Sequence, residues 1–182
     1  MIQALSANGV AMSEGKLTNE ALVADWQENA KELDDQNYRF LRSLKMRSPK
    51  KVDRIALQLH QQAFSIVDCT KCANCCKTLH PVVTNEDMTR IAQHLGIAED
   101  RFIAAYLEQD DEGGYRIKNS PCPFLADDNR CIIYDERPEK CRGYPFTDKR
   151  DFVFMTMTHA NNAVVCPAVF YLVEQMKRRV RR

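Results

Sequence analysis

Cys69-Thr70-Lys71-Cys72-Ala73-Asn74-Cys75-Cys76 places four thiols within eight residues, and the reading of the whole chain turns on it. A Cys-x-x-Cys turn lets both thiolates point to one side while the intervening amides face the sulfurs. Amide hydrogen bonds of that kind offset the negative charge of a thiolate ligand set. Three cysteines in series, Cys69, Cys72 and Cys75, match the run that ferredoxin-type proteins use for three corners of a four-iron cluster, with a remote Cys-Pro completing it. Two such dipeptides lie downstream, Cys122-Pro123 and Cys166-Pro167. Cys76 departs from the run. Adjacent side chains diverge, so Cys75 and Cys76 are expected to serve two different sites.

The remaining thiols are Cys122, Cys131, Cys141 and Cys166, which brings the total to eight. Eight divide naturally into two four-sulfur sites. One expected partition gives Cys69, Cys72, Cys75 and one Cys-Pro cysteine to the first. Cys76, Cys131, Cys141 and the other Cys-Pro cysteine then form the second. An iron–sulfur cluster of the 4Fe-4S type is the leading expectation. Zinc stays open beside it, because Cys-x-x-Cys plus distant cysteines is also the grammar of structural tetrahedral zinc. Arg137 and Arg142 flank Cys141 and carry guanidinium groups suited to neutralising an anionic thiolate centre, so both are candidate cofactor-binding residues. The competing reading has them bonding loop carbonyls and acidic neighbours. His80 and His159 are read as hydrogen-bonding rather than ligating histidines.

Working outward, Asn19 to about Lys45 carries Leu22, Trp26, Ala30, Leu33, Leu41 and Leu44 at helical spacing, with Thr18 or Asn19 as cap. Ser48-Pro49 breaks that helix. A second is expected from Pro49 to Val67, giving an N-terminal helical hairpin. Thr84-Asn85-Glu86-Asp87 reads as a helix start with an acidic first turn, and Gly96 as its C-cap. A helix over 98–107, a turn at Gly113-Gly114 and a strand at Tyr115–Ile117 follow. Residues 130–134 and 152–157 are rich in β-branched and aromatic types and are expected as strands. Asp135 is a candidate cap for a short helix entered through Pro138, and Pro167–Arg179 is the expected last helix. The fold class is α+β and helix-rich. The expected division is a flexible terminus over 1–18, the hairpin over 19–67, and a metal-stabilised cysteine-cluster domain with a C-terminal helix over 68–182.

Lys plus Arg number 26 and Asp plus Glu 25, so no global field favours nucleic acid or an anionic membrane. The basic end, Lys177 to Arg182, reads as a solvated helix terminus. No secretory signal pattern opens the sequence, and the apolar stretch 152–173 is too interrupted to span a membrane. The expected localisation is cytoplasmic, where structural disulfides are rare and cysteines point to metal or redox chemistry. No glycine-rich nucleotide loop or other catalytic constellation is visible, so an enzyme is not indicated. Two roles remain. One is a metal-binding protein with a redox, sensing or metal-handling function. The other is a zinc-stabilised accessory protein whose helical surface meets an unidentified protein partner.

Taken together, the run at Cys69–Cys76, Asp87-x-x-Arg90-Ile91-Ala92, Cys122-Pro123-Phe124-Leu125 and Cys131-x-x-Tyr134-x-x-Arg137-Pro138-x-x-Cys141-Arg142-x-Tyr144-Pro145 resemble the YkgJ-type cysteine-cluster family. That family is described as a zinc- or iron-chelating domain. The resemblance covers about residues 68–168 and implies a shared ligand set that includes all eight cysteines. A similar module occurs in flagellin lysine N-methylases; the resemblance transfers no activity to this chain.

Overall fold

The computed structural model describes residues 17–180. The expected flexible terminus falls almost wholly outside them, as do Arg181 and Arg182. The chain divides into two compact units. The first joins residues up to Asp68 with Pro145 onward, and the second is Cys69–Tyr144. The sequence expectation had attached everything after Asp68 to the cysteine region, whereas the last two helices belong with the N-terminal ones.

The first unit is helical: α1 (Asn19–Asn29), α2 (Asp34–Ser43), α3 (Pro49–Phe64), and, after the cysteine unit, α9 (Thr156–Val165) and α10 (Pro167–Val180). α10 is the hub. Every residue from Pro167 to Val173 is buried, as expected of a helix wrapped by others. It packs on α3, α9 and α1, while α2 packs mainly on α9. The two N-terminal segments thus meet these C-terminal helices rather than closing on each other as a simple hairpin. Leu41, Leu44, Val52, Leu59, Phe152, Val169, Leu172 and Met176 form the core. The single helix expected over 19–45 is interrupted at 30–33. There Asn29 donates to the carbonyl and carboxylate of Asp25, and Asp34 and Asp35 open a new acidic first turn.

The strand expected over 152–157 is instead a 3₁₀ turn, Phe152–Phe154, followed by the start of α9. Its backbone is captured from outside, because the Asp53 carboxylate accepts the amides of Asp151 and Phe152. Phe152 and Val153, neighbours in sequence, are both fully buried, unlike the alternation of a strand with one solvated face. Within the same core Lys177 is buried and bonds Glu174 at 2.6 Å and Gln36 at 2.7 Å.

His159 lies flat on Phe152, ring centroids 3.8 Å apart, and is fully buried. Burial pushes its pKa down to about 4 from 6.5, against a weaker opposing pull from the Phe152 backbone. The unfolded chain therefore takes up the proton first. Stability is expected to fall as pH drops below 6.5 and to go on falling to about 4, by on the order of 3 kcal/mol in total. Urea unfolding across that window checks it. In His159→Gln this part of the pH dependence should vanish.

The second unit holds α4 (Cys69–Cys72), α5 (Asn74–Thr78), α6 (Asn85–Leu95), α7 (Glu99–Tyr106) and α8 (Glu139–Gly143) with a three-stranded antiparallel sheet. The sheet order is β1 (Val82–Val83), β3 (Tyr115–Ile117), β2 (Leu107–Gln109). Leu107 pairs with Ile117 and Val83 with Tyr115. α6 starts at a full capping box between Thr84 and Asp87 and ends at Gly96 with φ +67°, as its sequence predicts. Ile91, Phe102, Ile117, Phe124 and Ile133 form the core of this unit, and Cys122 and Cys131 pack against it. The strand expected over 130–134 is reduced to one antiparallel bridge, Leu125 with Cys131, before a 3₁₀ turn at Tyr134–Glu136.

Candidate metal centre

Four segments of the second unit converge on one group of thiols. The first is the α4–α5 run. Its joint is Ala73, a buried residue in the left-handed region at φ +50°, where an L side chain costs about 1 kcal/mol or more. The turn at Ala73 separates α4 from α5 so that the run bends between Cys72 and Cys75. Lys77 reaches back to the Cys72 carbonyl at 3.1 Å, and Asn129 donates to the Thr70 carbonyl at 2.9 Å.

The second segment is the Cys122 loop. The Cys122 amide donates to the Cys76 carbonyl at 2.8 Å, and Ser120 Oγ donates to the Lys77 carbonyl at 2.6 Å. These two bonds place Cys122 beside Cys76, although 45 residues separate them in sequence. Cys131 arrives through the Leu125 bridge and through the Ile132 amide, which donates to the Phe124 carbonyl. Cys141 sits on α8.

The electrostatics define the group. Cys76, Cys122, Cys131 and Cys141 are half-buried, and every pair among the four is within Coulomb reach. Burial first, then the neighbouring cysteine charges, push Cys122 up to about 11 and Cys141 up to about 12. Cys131 is raised for the same reasons. Cys76 goes the other way, down to about 7. The hydrogen bond from Cys75 (Sγ to Sγ 3.9 Å) does most of this against burial, with the charges of Arg137 and Lys77 assisting. One thiol is thus poised to ionise beside three that burial holds protonated.

The donor chemistry fits a thiolate-bound metal. The backbone amides of Phe124 and Ile133, each two residues beyond a cysteine, favour the charged form of Cys122 and Cys131 against burial, the polarity that suits a thiolate ligand. Arg137 adds positive charge that is felt at Cys76, Cys131 and Cys141. Its guanidinium stacks 3.7 Å from the Tyr134 ring centre and donates to the Tyr134 carbonyl at 2.6 Å. Among the described residues, no group of three or more His, Cys, Asp or Glu side chains stands closed in metal-holding geometry.

The other sequence candidates fall in different places. Cys69, Cys72 and Cys75 line the run itself. Cys166 lies in the first unit, at the edge of its apolar clusters. Arg142 donates to the carbonyls of Arg137 (3.0 Å) and Asp135, so its guanidinium braces the loop that carries Cys141. His80 bonds the Ile117 carbonyl at 2.9 Å, and His159 is the buried core residue described above. Asp135 does not cap α8. Pro138 stands at that position with no side-chain cap, and the cap comes from Asp87.

Asp87 opens both the α6 helix start and the Asp87-x-x-Arg90 motif, and the structure gives it a further part. Its carboxylate is almost fully buried, accepts the Thr84 and Glu139 amides, and pairs with Arg90 at 2.5 Å. Burial alone would raise its pKa; the Arg90 and amide hydrogen bonds outweigh it and hold the carboxyl below its usual value. Arg90 also donates to the Arg137 carbonyl at 3.2 Å and lies 3.0 Å from the Glu136 carboxylate. One ion pair therefore fixes α6, the Arg137 loop and the start of α8. The capping-box pattern Thr84-x-x-Asp87 was the available signal, but nothing in it announces a second helix as the beneficiary.

A protein-family model described as "CxxCxxCC: Putative zinc- or iron-chelating domain" matches residues 68–167, more than half of the chain. No curated protein and no solved structure matches.

Proposed function

The chain belongs to the CxxCxxCC family, and from that premise we propose that it is a metal-binding protein whose second unit holds an iron–sulfur cluster, of the 4Fe-4S type, in a redox, sensing or metal-handling role. The observation that carries the reading is the convergence of Cys76, Cys122, Cys131 and Cys141 from four segments, with the charge of Arg137 felt at three of them. Four thiols brought singly from four segments are what one four-sulfur centre requires. The cluster reading is supported by the ferredoxin spacing of Cys69, Cys72 and Cys75 beside them.

In this reading the four coupled cysteines hold one centre, and the Cys69–Cys75 run contributes thiols to a second. Bound there, a cluster would supply one-electron chemistry, with its potential set by amide bonds to sulfur and by nearby charge. The protein's own part is legible. The Phe124 and Ile133 amides stabilise sulfur charge, Arg137 offsets the net negative charge, and Asp87 with Arg90 keeps the Cys141 helix in register. Reductive titration followed by visible absorbance tests the role. A reversible bleaching whose midpoint moves negative in Arg137→Gln supports it, and a colourless protein contradicts it.

Zinc is the second reading. It is favoured by how little regular structure surrounds the thiols, where a tetrahedral ion would take the place of core. It predicts a colourless, redox-silent protein that chelators unfold.

A further inference from the structure

The chain's charge balance conceals a strong local imbalance. Residues 39–54 hold Arg39, Arg42, Lys45, Arg47, Lys50, Lys51 and Arg54 against one acidic residue, Asp53. Since the whole chain is only +1, the remainder is net acidic. Among the described residues, Asp53 forms no ion pair with these neighbours; its carboxylate accepts the Asp151 and Phe152 amides. All seven cations are exposed. Arg39 donates to the Asp35 carbonyl at 3.2 Å and makes a loose 4.0 Å ion pair with its carboxylate, and Arg42 stacks over Tyr38. Among the described residues, no salt bridge is formed by Lys45, Arg47, Lys50, Lys51 or Arg54.

Fold geometry concentrates these charges. The end of α2, the 3₁₀ turn Leu44–Met46 and the first turns of α3 follow one another around a single corner. The buried positions Leu41, Leu44, Val52 and Ala56 leave the basic positions outside. Beside the corner runs an open groove of about 540 Å³ lined by Gln36, Arg39, Phe40, Ser43, Arg47 and Val180. It combines two guanidinium groups, an amide, a hydroxyl and an aromatic ring, with no carboxylate on its walls.

We propose that this corner of the first unit binds the phosphate backbone of single-stranded nucleic acid. A groove with guanidinium groups suits discrete phosphates. An aromatic wall beside a backbone-tracking basic surface is how single strands are held without sequence readout. A bilayer is too flat to enter the groove, and the exposed cations around it favour an anionic chain over an apolar helix. Global charge gave no hint of this partner, because the acidic remainder of the chain cancels the patch.

The test is fluorescence anisotropy with short labelled oligouridylate and oligothymidylate on the metal-replete full chain, against Arg47→Glu/Lys50→Glu/Lys51→Glu. The three positions are exposed, and because they lie in the helical first unit, an unchanged helical circular-dichroism signal and melting curve serve as the folding control, with metal content reporting on the second unit. Engagement of three to four phosphates predicts a loss of roughly 20- to 50-fold in affinity between about 50 and about 200 mM salt. The triple variant, with unchanged metal content, should bind at least about tenfold more weakly and with a shallower salt slope. RNA and DNA strands should bind alike if the backbone alone is read; preference for one would still support the site and add contacts to the sugar. Absence of saturable binding at about 50 mM salt would overturn the proposal, as would equal binding by the variant. So would binding to phosphatidylserine vesicles or to polyglutamate by a protein that ignores both oligonucleotides.

Discussion

Cys141→Ser is expected to empty the centre built on Cys76, Cys122 and Cys131. Cys141 is coupled to all three of the other thiols, and its thiol is the one most strongly held in the neutral form. A serine hydroxyl ionises far too weakly to replace a thiolate ligand. The loss in metal affinity should exceed the 10- to 100-fold, roughly, that removal of an outer-shell partner costs. Because structural metal binding is folding free energy, the variant should also lose thermal stability in the cysteine unit. Metal analysis with a melting curve monitored in both forms checks this. A metal-replete Cys141→Ser protein with wild-type melting would remove Cys141 from the ligand set.

The second large effect is expected from a residue that touches no metal. Asp87→Ala removes a carboxylate that is 2% exposed and leaves the Glu139 and Thr84 amides without their acceptor. Arg90 would keep only Glu136 as a carboxylate partner. Breaking a buried pair by deleting one member costs about 3 kcal/mol or more. The pH dependence has a definite sign. Asp87's folded pKa is lowered, so its contribution is complete above the ordinary value of 3.8 and is lost as pH falls below it. Asp87→Ala should therefore be less stable than wild type at neutral pH, with the difference shrinking in acid. Since the Asp87 carboxylate caps the helix that carries Cys141, metal affinity should drop by about 10- to 100-fold as well. Asp87→Asn, which keeps one acceptor oxygen, should fall between the two. Chemical denaturation at neutral and acid pH, paired with a chelator competition, measures both effects.

How far the sequence could be read depended on whether a residue's signal was local. Thr84, Asp87 and Gly96 mark α6 because caps act within one turn. Pro49 and Pro167 mark helix starts for the same reason. Ala30–Leu33 interrupts a periodic pattern that looks continuous, since Asn29 bonding back to Asp25 is invisible to a count of apolar spacing. Phe152–Phe154 has strand-like residue types, yet it is turned by Asp53, about a hundred residues earlier. That is a tertiary override no local propensity can express. The metal centre divides the same way. The eight cysteines are legible as a set from the sequence. The expected divergence of adjacent side chains is not met, since the Cys75 and Cys76 sulfurs lie 3.9 Å apart. The closeness of Cys122 to Cys76 rests on one backbone bond between distant segments, which no local pattern announces. Of the two arginines singled out, Arg137 stacks on Tyr134 with its charge felt at three of the thiols, while Arg142 braces the loop through the Arg137 and Asp135 carbonyls.

These threads meet in the nature of the centre, and its composition is the most direct test. Protein purified without air should be analysed for iron, zinc and acid-labile sulfide, alongside its visible spectrum. The proposed reading predicts a brown protein with iron and sulfide in equal amounts, both lowered together in Cys141→Ser. A colourless protein containing zinc and no sulfide would contradict the cluster and leave Cys76, Cys122, Cys131 and Cys141 as a structural tetrahedral site.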